Sequence, residues 1–250
     1  MIDEWGKGAK YWDKAWNPII GCQQVSEGCE HCYAARLAAQ YPELRDADGG
    51  FAPHQPKKEK FPPNSGVVFV GNMTDLFGEW NSDTKIITWS ALLKNHSKIT
   101  KLILTKRPNR LWRLDDVFMR DDQTWIGVTG ENQERLEQRF DDFLRIQTPH
   151  RWLSLEPLLG EILLTDAVMN VVGECDFFDS LRKWFQWVVV GAESGPNRRP
   201  CNLAWVREIV MECRACGVPV FVKQLDIDGR LVKDINQFPA DLQIRQIPWK

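Results

Sequence analysis

The sequence predicts an α/β fold, a partial (β/α) barrel like a TIM barrel, with about six or seven parallel strands. Short apolar segments alternate with segments of helical periodicity, a pattern typical of parallel βαβ units. The first predicted strand leads into a cysteine-rich loop, whereas a dinucleotide-binding sheet would have a glycine-rich turn there. We therefore expect one barrel domain over residues 1–250, with an N-terminal extension (1–15) and a C-terminal tail (226–250).

The strands are predicted from short runs rich in β-branched and aromatic residues, bounded by polar or turn-forming residues. Such continuous apolar runs are typical of strands buried on both faces. The predicted strands are Ala15–Ile20, Val67–Gly71, Lys101–Thr105, Thr124–Thr129, Arg151–Glu156, Trp184–Glu193 and Val218–Leu225.

Helical periodicity and capping residues predict the helices between these strands. Ser82 or Asp83 is the expected N-cap of the second helix. The segment Leu158–Lys183 is expected to be irregular, with a short helix after Asp176. The predicted helices are Tyr33–Tyr41, Asp83–Asn95, Asn109–Met119, Asn132–Ile146 and Asn202–Cys216.

A long segment rich in proline, glycine and charge follows the first helix. A loop of this length in a compact domain is usually functional or mobile. It contains a basic run, for which a solvated loop and a phosphate contact are the two interpretations. The run consists of Lys57, Lys58 and Lys60.

Composition narrows the class of protein. The net charge of −2 gives no overall attraction to nucleic acid, although a local basic groove is compatible with it. No apolar run approaches the ~20 residues that a membrane helix needs, and the first residues do not resemble a signal peptide. We expect a cytoplasmic protein, in which the seven cysteines favour a metal site over disulfides.

The chain is organised around a cysteine-rich loop, GCQQVSEGCEHCY, which holds Cys22, Cys29 and Cys32. Three thiolates from one loop suit a soft metal ion or an iron–sulfur cluster. A tetrahedral zinc site would need a fourth ligand, for which His31 and His54 are the candidates. A four-iron cluster held by three cysteines would instead leave one iron open for a substrate or cofactor.

Polar residues follow most of the predicted strands, at the end where barrel enzymes place their sites. Because strand ends are polar in any barrel, each residue alone is weak evidence. Lys106 and Arg107 have a structural alternative, pairing with Glu131 or Glu156. The strand-end residues are Asn72, Thr74, Asp75, Thr105, Lys106, Arg107, Thr129, Glu131, Asn132, Ser154, Glu156, Glu193, Ser194, Lys223 and Gln224.

Seven short motifs extend this picture over nearly the whole chain: WNPIIGC, VSEGCEHCYA, GNMTDLF, TKRP, LSLEPLLG, VVVGAESGP and FVKQ. With its three-cysteine loop, the chain resembles the radical S-adenosylmethionine superfamily. It is most similar to an uncharacterised phage-protein family that is itself distantly similar to spore photoproduct lyase. The similarity runs from Trp16 to Gln224. Six residues separate Cys22 from Cys29, whereas the usual superfamily loop has three.

The resemblance implies a [4Fe–4S] cluster bound by Cys22, Cys29 and Cys32. S-adenosyl-L-methionine would bind the fourth iron through its amino and carboxylate groups. Reductive cleavage, with an electron from an external donor, would give a 5′-deoxyadenosyl radical that abstracts a hydrogen atom. The substrate is unknown, and a nucleic-acid base or modified nucleotide of phage is the expected class.

The resemblance also implies roles for several other residues. His31 would lie near the adenine, or else be a solvent-facing loop residue. Asn72 and Asp75 would bind the methionine amino group. Cys201 would donate hydrogen to a substrate radical, while Cys213 and Cys216 are expected to pack within a helix. The remaining predicted contacts are Thr105 and Thr129 to the ribose or carboxylate, Lys106 or Arg107 to the carboxylate, and Glu156 and Glu193 to the substrate or ribose.

Two rival hypotheses belong to other functional classes. One is a zinc-stabilised binding module that uses the three loop cysteines with His31 or His54. Only Cys29 and Cys32 form the close pair typical of structural zinc sites. The other is a barrel that has lost its chemistry and serves as a phage interaction protein.

Overall fold

The computed structural model describes residues 10–58, 61–111, 121–173 and 177–249, without the side chains of 177–180. In these residues it confirms the α/β class, with eight strands and six helices. The chain forms two compact units. Of the described residues, those within 12–128 and 145–150 form the amino-terminal unit, and those within 10–11, 129–144 and 151–249 form the carboxy-terminal unit.

The amino-terminal unit is built on four strands that pair in parallel and in chain order. Their central residues are buried, as expected for parallel strands covered on both faces. Ser82 Oγ caps the second helix by accepting from the Lys85 amide at 3.3 Å, as predicted. The elements are β1 (Lys14–Trp16), β2 (Gly66–Val70), β3 (Ile99–Thr105), β4 (Thr124–Thr129), α1 (Tyr33–Gln40) and α2 (Asp83–Lys94).

The carboxy-terminal unit has three parallel strands and one antiparallel hairpin strand. Helix α3 buries Leu136, Arg139, Phe140 and Phe143, the spacing of one helix face. The tail returns along β7, where Ile244 and Gln246 hydrogen-bond to its backbone. The elements are α3 (Gln133–Arg145), β5 (His150–Leu155), α4 (Leu164–Val172), α5 (Phe177–Trp184), β6 (Trp187–Gly191), α6 (Leu203–Ala215), β7 (Val220–Ile227) and β8 (Arg230–Val232).

Several predicted boundaries need correction. Strand β1 ends at Trp16 rather than Ile20, because Pro18 has no amide hydrogen for a ladder. Ile20 forms only an isolated antiparallel bridge with His54. Strand β8, which pairs with β7, was not predicted. Most of the predicted helix Asn109–Met119 lies outside the described residues. The barrel and the single domain stay predictions.

The segment predicted to be irregular contains two helices rather than one. The short helix after Asp176 is confirmed as α5, but α4 was missed. Its N-terminus has no local side-chain cap. The amides of Leu164 and Thr165 donate instead to the two carboxylate oxygens of Glu212, on α6, at 2.8 and 2.9 Å. A cap supplied by a residue so distant in sequence leaves no local signal.

In the described parts of the chain, the helices are all too short or too polar to cross a lipid bilayer.

Replacing Glu212 with alanine should lower the free energy of unfolding by about 2 kcal/mol, because two buried amides lose a charged acceptor. Urea unfolding of the purified protein measures this. Glu208→Ala on the same helix is the matched control, since the described residues give Glu208 no hydrogen-bonding partner. We expect less than about 0.5 kcal/mol for the control, and equal losses in the two variants would contradict the capping role.

Stability should also depend on the Lys101–Asp121 pair. Lys101 is 1% exposed, and its Nζ lies 2.5 Å from Asp121 Oδ2. Burial opposes ionisation of Asp121, but bonds from Lys101, Gln123 and Thr124 outweigh it and lower the pKa below its ordinary 3.8. The folded-state pKa is depressed, so the carboxylate stabilises the fold above pH 3.8, and this stabilisation disappears as pH falls through the folded-state value.

Urea unfolding between about pH 3 and 6 measures this dependence. Asp121→Asn should be less stable near neutral pH and should lose part of the decline towards low pH. The exposed neighbour Asp122→Asn serves as control and should keep the wild-type profile. An unchanged slope in Asp121→Asn would exclude Asp121 as its source.

Candidate functional site

The cysteine loop follows β1 in the amino-terminal unit, and its first residue is tightly held. Gly21 has a φ of +92°, and a Cβ there would lie 2.1 Å from the Ala52 carbonyl oxygen. Its amide donates to Met73 O at 3.0 Å, and its carbonyl accepts from Thr74 Oγ1 at 2.7 Å. Only glycine meets both the conformational and the steric requirement. The loop therefore starts from a fixed backbone next to the end of β2.

The long loop after α1 packs on the same part of the cysteine loop. The Cys22 amide donates to Phe51 O at 3.0 Å, and His54 bridges Ile20. The Asp46 carboxylate accepts three backbone amides, those of residues 48, 50 and 52, at 2.6–3.0 Å. These bonds lower the pKa of Asp46. Residues 46–54, which we call the strap, are thus an ordered support for the cysteine loop.

The three cysteines of this loop are half-buried free thiols. Cys29 ends a short 3-10 turn, and Cys32 immediately precedes α1. Ser26 Oγ lies 3.9 Å from Cys29 Sγ, and Cys22 Sγ lies 3.5 Å from the Gln23 carbonyl oxygen. All three sulfur atoms that could bind a metal therefore lie on a single loop, partly shielded from water.

The surrounding charges act differently on two of these thiols. Burial raises the pKa of Cys22 to about 11, and the negative charge of Asp75 adds to the effect. Burial also opposes ionisation of Cys29, but the positive charge of Lys106 and hydrogen bonds from Val25 and Ser26 outweigh it and lower the pKa. Lys106 therefore favours thiolate, the metal-binding form of cysteine, at Cys29.

The donor set of the loop fits a thiolate-bound metal or iron–sulfur cluster by its chemistry. Its side chains are not arranged around a common point: among the residues with described placement, no three His, Cys, Asp or Glu side chains are positioned to hold a metal ion. His31 is half-buried beside Cys32.

A buried carboxylate, Asp75, connects the ends of β2 and β3. It is 6% exposed and accepts four hydrogen bonds. With both oxygens engaged, Asp75 positions the strand ends in this conformation, and direct binding of the methionine amino group stays a prediction. The donors are the Phe77 amide (3.1 Å), Thr105 Oγ1 (2.7 Å), the Lys106 amide (3.0 Å) and Arg107 Nη1 (3.3 Å).

Arg107 extends this network to the cysteine loop. Its Nη2 donates to the Gln23 carbonyl at 2.9 Å, and its Nε donates to Glu79 at 3.2 Å. The guanidinium also stacks 4.8 Å from the Trp80 ring centroid. One side chain thus joins the loop, the β2 end and an aromatic face, which only the planar, multivalent guanidinium can do.

Asn72 lies close to the same loop. Its side-chain oxygen accepts from Asn17 Nδ2 at 2.8 Å, and its carbonyl accepts from the Tyr33 hydroxyl. The amino-terminal unit therefore places Asn72, Asp75, Thr105 and Lys106 around the loop that carries the cysteines. A contact of any of them with a cofactor stays a prediction.

The other predicted site residues belong to the carboxy-terminal unit, where most already have partners. The Thr129 carbonyl accepts from Arg139, which also pairs with buried Glu131 at 2.5 Å. Glu193 accepts from Arg199 through the backbone amide (2.8 Å), Nε (3.1 Å) and Nη2 (2.5 Å). Sequence analysis missed the role of Arg199, since nothing in the sequence pairs it with Glu193.

Glu156 pairs with Lys223, whose Nζ lies 3.1 Å from Glu156 Oε2. The suggested pairing of Arg107 with Glu131 or Glu156 was therefore wrong, because Arg107 pairs with Asp75 and Glu79. Asp75 and Glu79, which follow β2, are the acidic partners of the guanidinium. The spacing of charged residues in the sequence does not predict this pairing.

Cys201, the predicted hydrogen donor, is 5% exposed. Its amide donates to Asp226 Oδ2 at 3.4 Å. Burial raises the pKa of its thiol to about 12, and the charge of Asp226 adds to the effect. The S–H bond that hydrogen donation requires is thus present at neutral pH. Cys213 and Cys216 are buried on α6 and at its end, while Cys175 lies outside the described residues.

A family assignment comes from sequence comparison. The sequence model of one family matches residues 7–234. The chain belongs to the DUF5131 family. DUF5131 is described as a protein of unknown function, so membership assigns no activity. The matched residues of this DUF5131 chain include the cysteine loop and all eight strands. Neither the curated proteins nor the solved structures contain a match to it.

We expect the buried Cys201 thiol of folded protein to react with iodoacetamide far more slowly than an exposed cysteine, because burial keeps it protonated and shielded. Peptide mass spectrometry after labelling near pH 8 measures this. Labelling in denaturant is the control and should modify Cys201 fully. Rapid modification in the native protein would show that this thiol is accessible or ionised.

Proposed function

We propose that this DUF5131 protein is a radical S-adenosylmethionine enzyme, with a [4Fe–4S] cluster held by Cys22, Cys29 and Cys32. The observation that carries the proposal is the presence of three half-buried free thiols on one loop. The backbone at the start of that loop is fixed by β2, the strap and Arg107. A loop so supported suits ligands whose geometry must be maintained.

When bound, the cluster and S-adenosyl-L-methionine would supply one-electron chemistry, giving a 5′-deoxyadenosyl radical with an electron from an external donor. The chain contributes binding and orientation. Lys106 provides positive charge next to Cys29, which favours the thiolate that binds iron. Asp75 and Thr105 fix the ends of β2 and β3. Asn72, which follows β2, and His31, in the cysteine loop, are further proposed cofactor contacts.

In the carboxy-terminal unit, Glu156 remains the proposed substrate contact, and Cys201 the proposed hydrogen donor. The Glu193 carboxylate is already hydrogen-bonded to Arg199, so we propose that it mainly positions the strand end. Thr129 bonds to Arg139 through its main-chain carbonyl, so its side chain remains the proposed contact to the ribose or carboxylate. A partial barrel, a cytoplasmic location and a phage-related nucleic-acid base as substrate complete the proposal. The mostly parallel strands support the barrel.

Anaerobic reconstitution with iron and sulfide tests this function. The expected product is a brown protein with about four irons per chain, which releases 5′-deoxyadenosine from S-adenosyl-L-methionine when dithionite is added. Cys22→Ala, Cys29→Ala and Cys32→Ala should each bind far less iron. Cys213→Ala is the matched control and should keep the full iron content. A reconstituted wild type without iron, or with iron but no 5′-deoxyadenosine, would refute the proposal.

One observation favours the rival zinc module. His54 Nδ1 lies 2.8 Å from the Ala52 carbonyl, which can only accept, so Nδ1 carries the proton. The lone pair of the neutral ring is then on Nε2, which is buried and has no partner among the described residues. Zinc-binding histidines commonly have this arrangement. Stoichiometric zinc after anaerobic purification, lost in His54→Ala, would support this module over the radical enzyme.

A further inference from the structure

Four buried side-chain oxygens in the carboxy-terminal unit lack hydrogen-bonding partners in the described part of the chain, and two of the four lie beside one glycine. These two are Glu156 Oε1 and Gln224 Oε1. Gln224 is only 2% exposed. A buried acceptor left unpaired destabilises the fold, and native proteins rarely leave such atoms unsatisfied. Two of them on neighbouring residues therefore indicate a missing donor.

The other polar atoms of these side chains are engaged, which fixes their orientation. Gln224 Nε2 donates to the Ala192 carbonyl at 2.6 Å, so the amide cannot be reversed without losing that bond. Glu156 Oε2 accepts from Lys223 Nζ at 3.1 Å. Each side chain is thus held by one atom and presents its remaining oxygen without a partner.

Gly191 lies between the two side chains. In the β5–β6 register Ser154 pairs with Val189, so Glu156 falls opposite Gly191 on the next strand. Gly191 pairs in turn with Gln224 across a register shift in β6. A Cβ on Gly191 would lie 2.7 Å from Glu156 Oε1 and 3.3 Å from Gln224 Cγ. The absence of a side chain therefore lets Glu156 and Gln224 both pack directly against the backbone of Gly191.

An irregularity between β6 and β7 explains how Glu156, Gly191 and Gln224 come to lie side by side, in an arrangement that we call the row. The pairing passes from Val190–Val222 to Gly191–Gln224, which leaves Lys223 as an extra residue on β7. Such bulges re-aim side chains and are frequent next to functional sites. Here the bulge allows Lys223 to reach Glu156 while Gln224 stays beside Gly191.

The charge of the row restricts what it can bind. Lys223 already compensates the Glu156 carboxylate, so a cationic ligand is not required. The two unpaired atoms are both acceptors, and a ligand must therefore donate to them. A polar but neutral group with two adjacent donors matches this pattern.

We propose that Glu156 and Gln224, beside Gly191, form a binding site for a neutral group that donates two hydrogen bonds. A ribose diol and the amino–imino edge of a nucleobase share this chemistry. Lys223 is a positioning residue that holds Glu156. The observations that support this site are independent of the cysteine loop, because they concern only residues of the carboxy-terminal unit.

Ligand-observed NMR with three neutral probes tests the site on the full chain. Guanosine presents both donor groups, 2′,3′-dideoxyguanosine presents only the base edge, and methyl β-ribofuranoside presents only the diol. We expect guanosine to show saturation transfer, together with whichever of the other two carries the recognised donors. If none of the three binds at millimolar concentration, the two acceptors are satisfied by water and the proposal is overturned.

Glu156→Gln is the decisive variant, because Lys223 needs an acceptor and therefore directs the new amide nitrogen to the position of Oε1. An acceptor becomes a donor with no change of shape, and the affinity for the probe should fall at least tenfold. Glu161→Gln, an exposed position with the same change of charge, is the matched control and should bind as the wild type does.

Gly191→Ala provides a second variant, whose methyl group would collide with Glu156 Oε1, displace the carboxylate and weaken binding. Thermal unfolding and circular dichroism establish that each variant is folded. Unchanged probe affinity in folded Glu156→Gln would refute the site. Since the readout is binding and not turnover, failure here is distinguishable from failure of the proposed radical chemistry.

Discussion

The organisation of the amino-terminal unit depends on the ion pair between Asp75 and Arg107. Both groups are buried, and a buried charge is tolerated only when it is paired and fully hydrogen-bonded. Asp75 meets this requirement with donors from β3 and the segment that follows it. Arg107 meets it partly by donating to Gln23 in the cysteine loop. The cysteine loop is thus part of the charged hydrogen-bond network that joins the ends of β2 and β3.

The buried carboxylates of the carboxy-terminal unit divide into two groups. Glu131, Glu193 and Glu212 have both oxygens engaged by arginine side chains or helix amides. Their role is therefore structural. Glu156 differs, because only one of its oxygens has a partner. Among the described residues, Asp226 also has one unpaired oxygen, but Glu156 shares a glycine neighbour with the unpaired Gln224, and two such acceptors side by side are the physical sign of a ligand site.

Much of the fold could be predicted from the sequence because the relevant signals are local. Apolar runs identified the seven parallel strands, and Ser82 was one of the two expected N-caps of α2. The features that were missed depend on tertiary contacts. Helix α4 is capped by the distant Glu212, and Arg199 finds Glu193 through the folding of a loop.

The same distinction between local sequence signals and tertiary contacts applies to the candidate site. Clustering of Cys22, Cys29 and Cys32 is visible in the sequence, as is the polarity of the strand ends. Which polar groups remain available is decided by neighbours: the sequence treats Asp75 and Glu156 alike, yet one accepts four hydrogen bonds and the other keeps an unpaired oxygen. Sequence analysis could therefore identify both residues as candidates but could not predict which of them would keep an unpaired oxygen.

The docking of the strap on the cysteine loop defines what a minimal version of this site must contain. Gly21 fits against Ala52, the Cys22 amide bonds to Phe51, and Arg107 holds Gln23 from the far end of β3. A synthetic peptide of the thirteen-residue loop, Gly21–Tyr33, would lack all three supports. A transplanted site would have to include the chain from Gly21 to Arg107, so the ligand loop is not portable as a short motif.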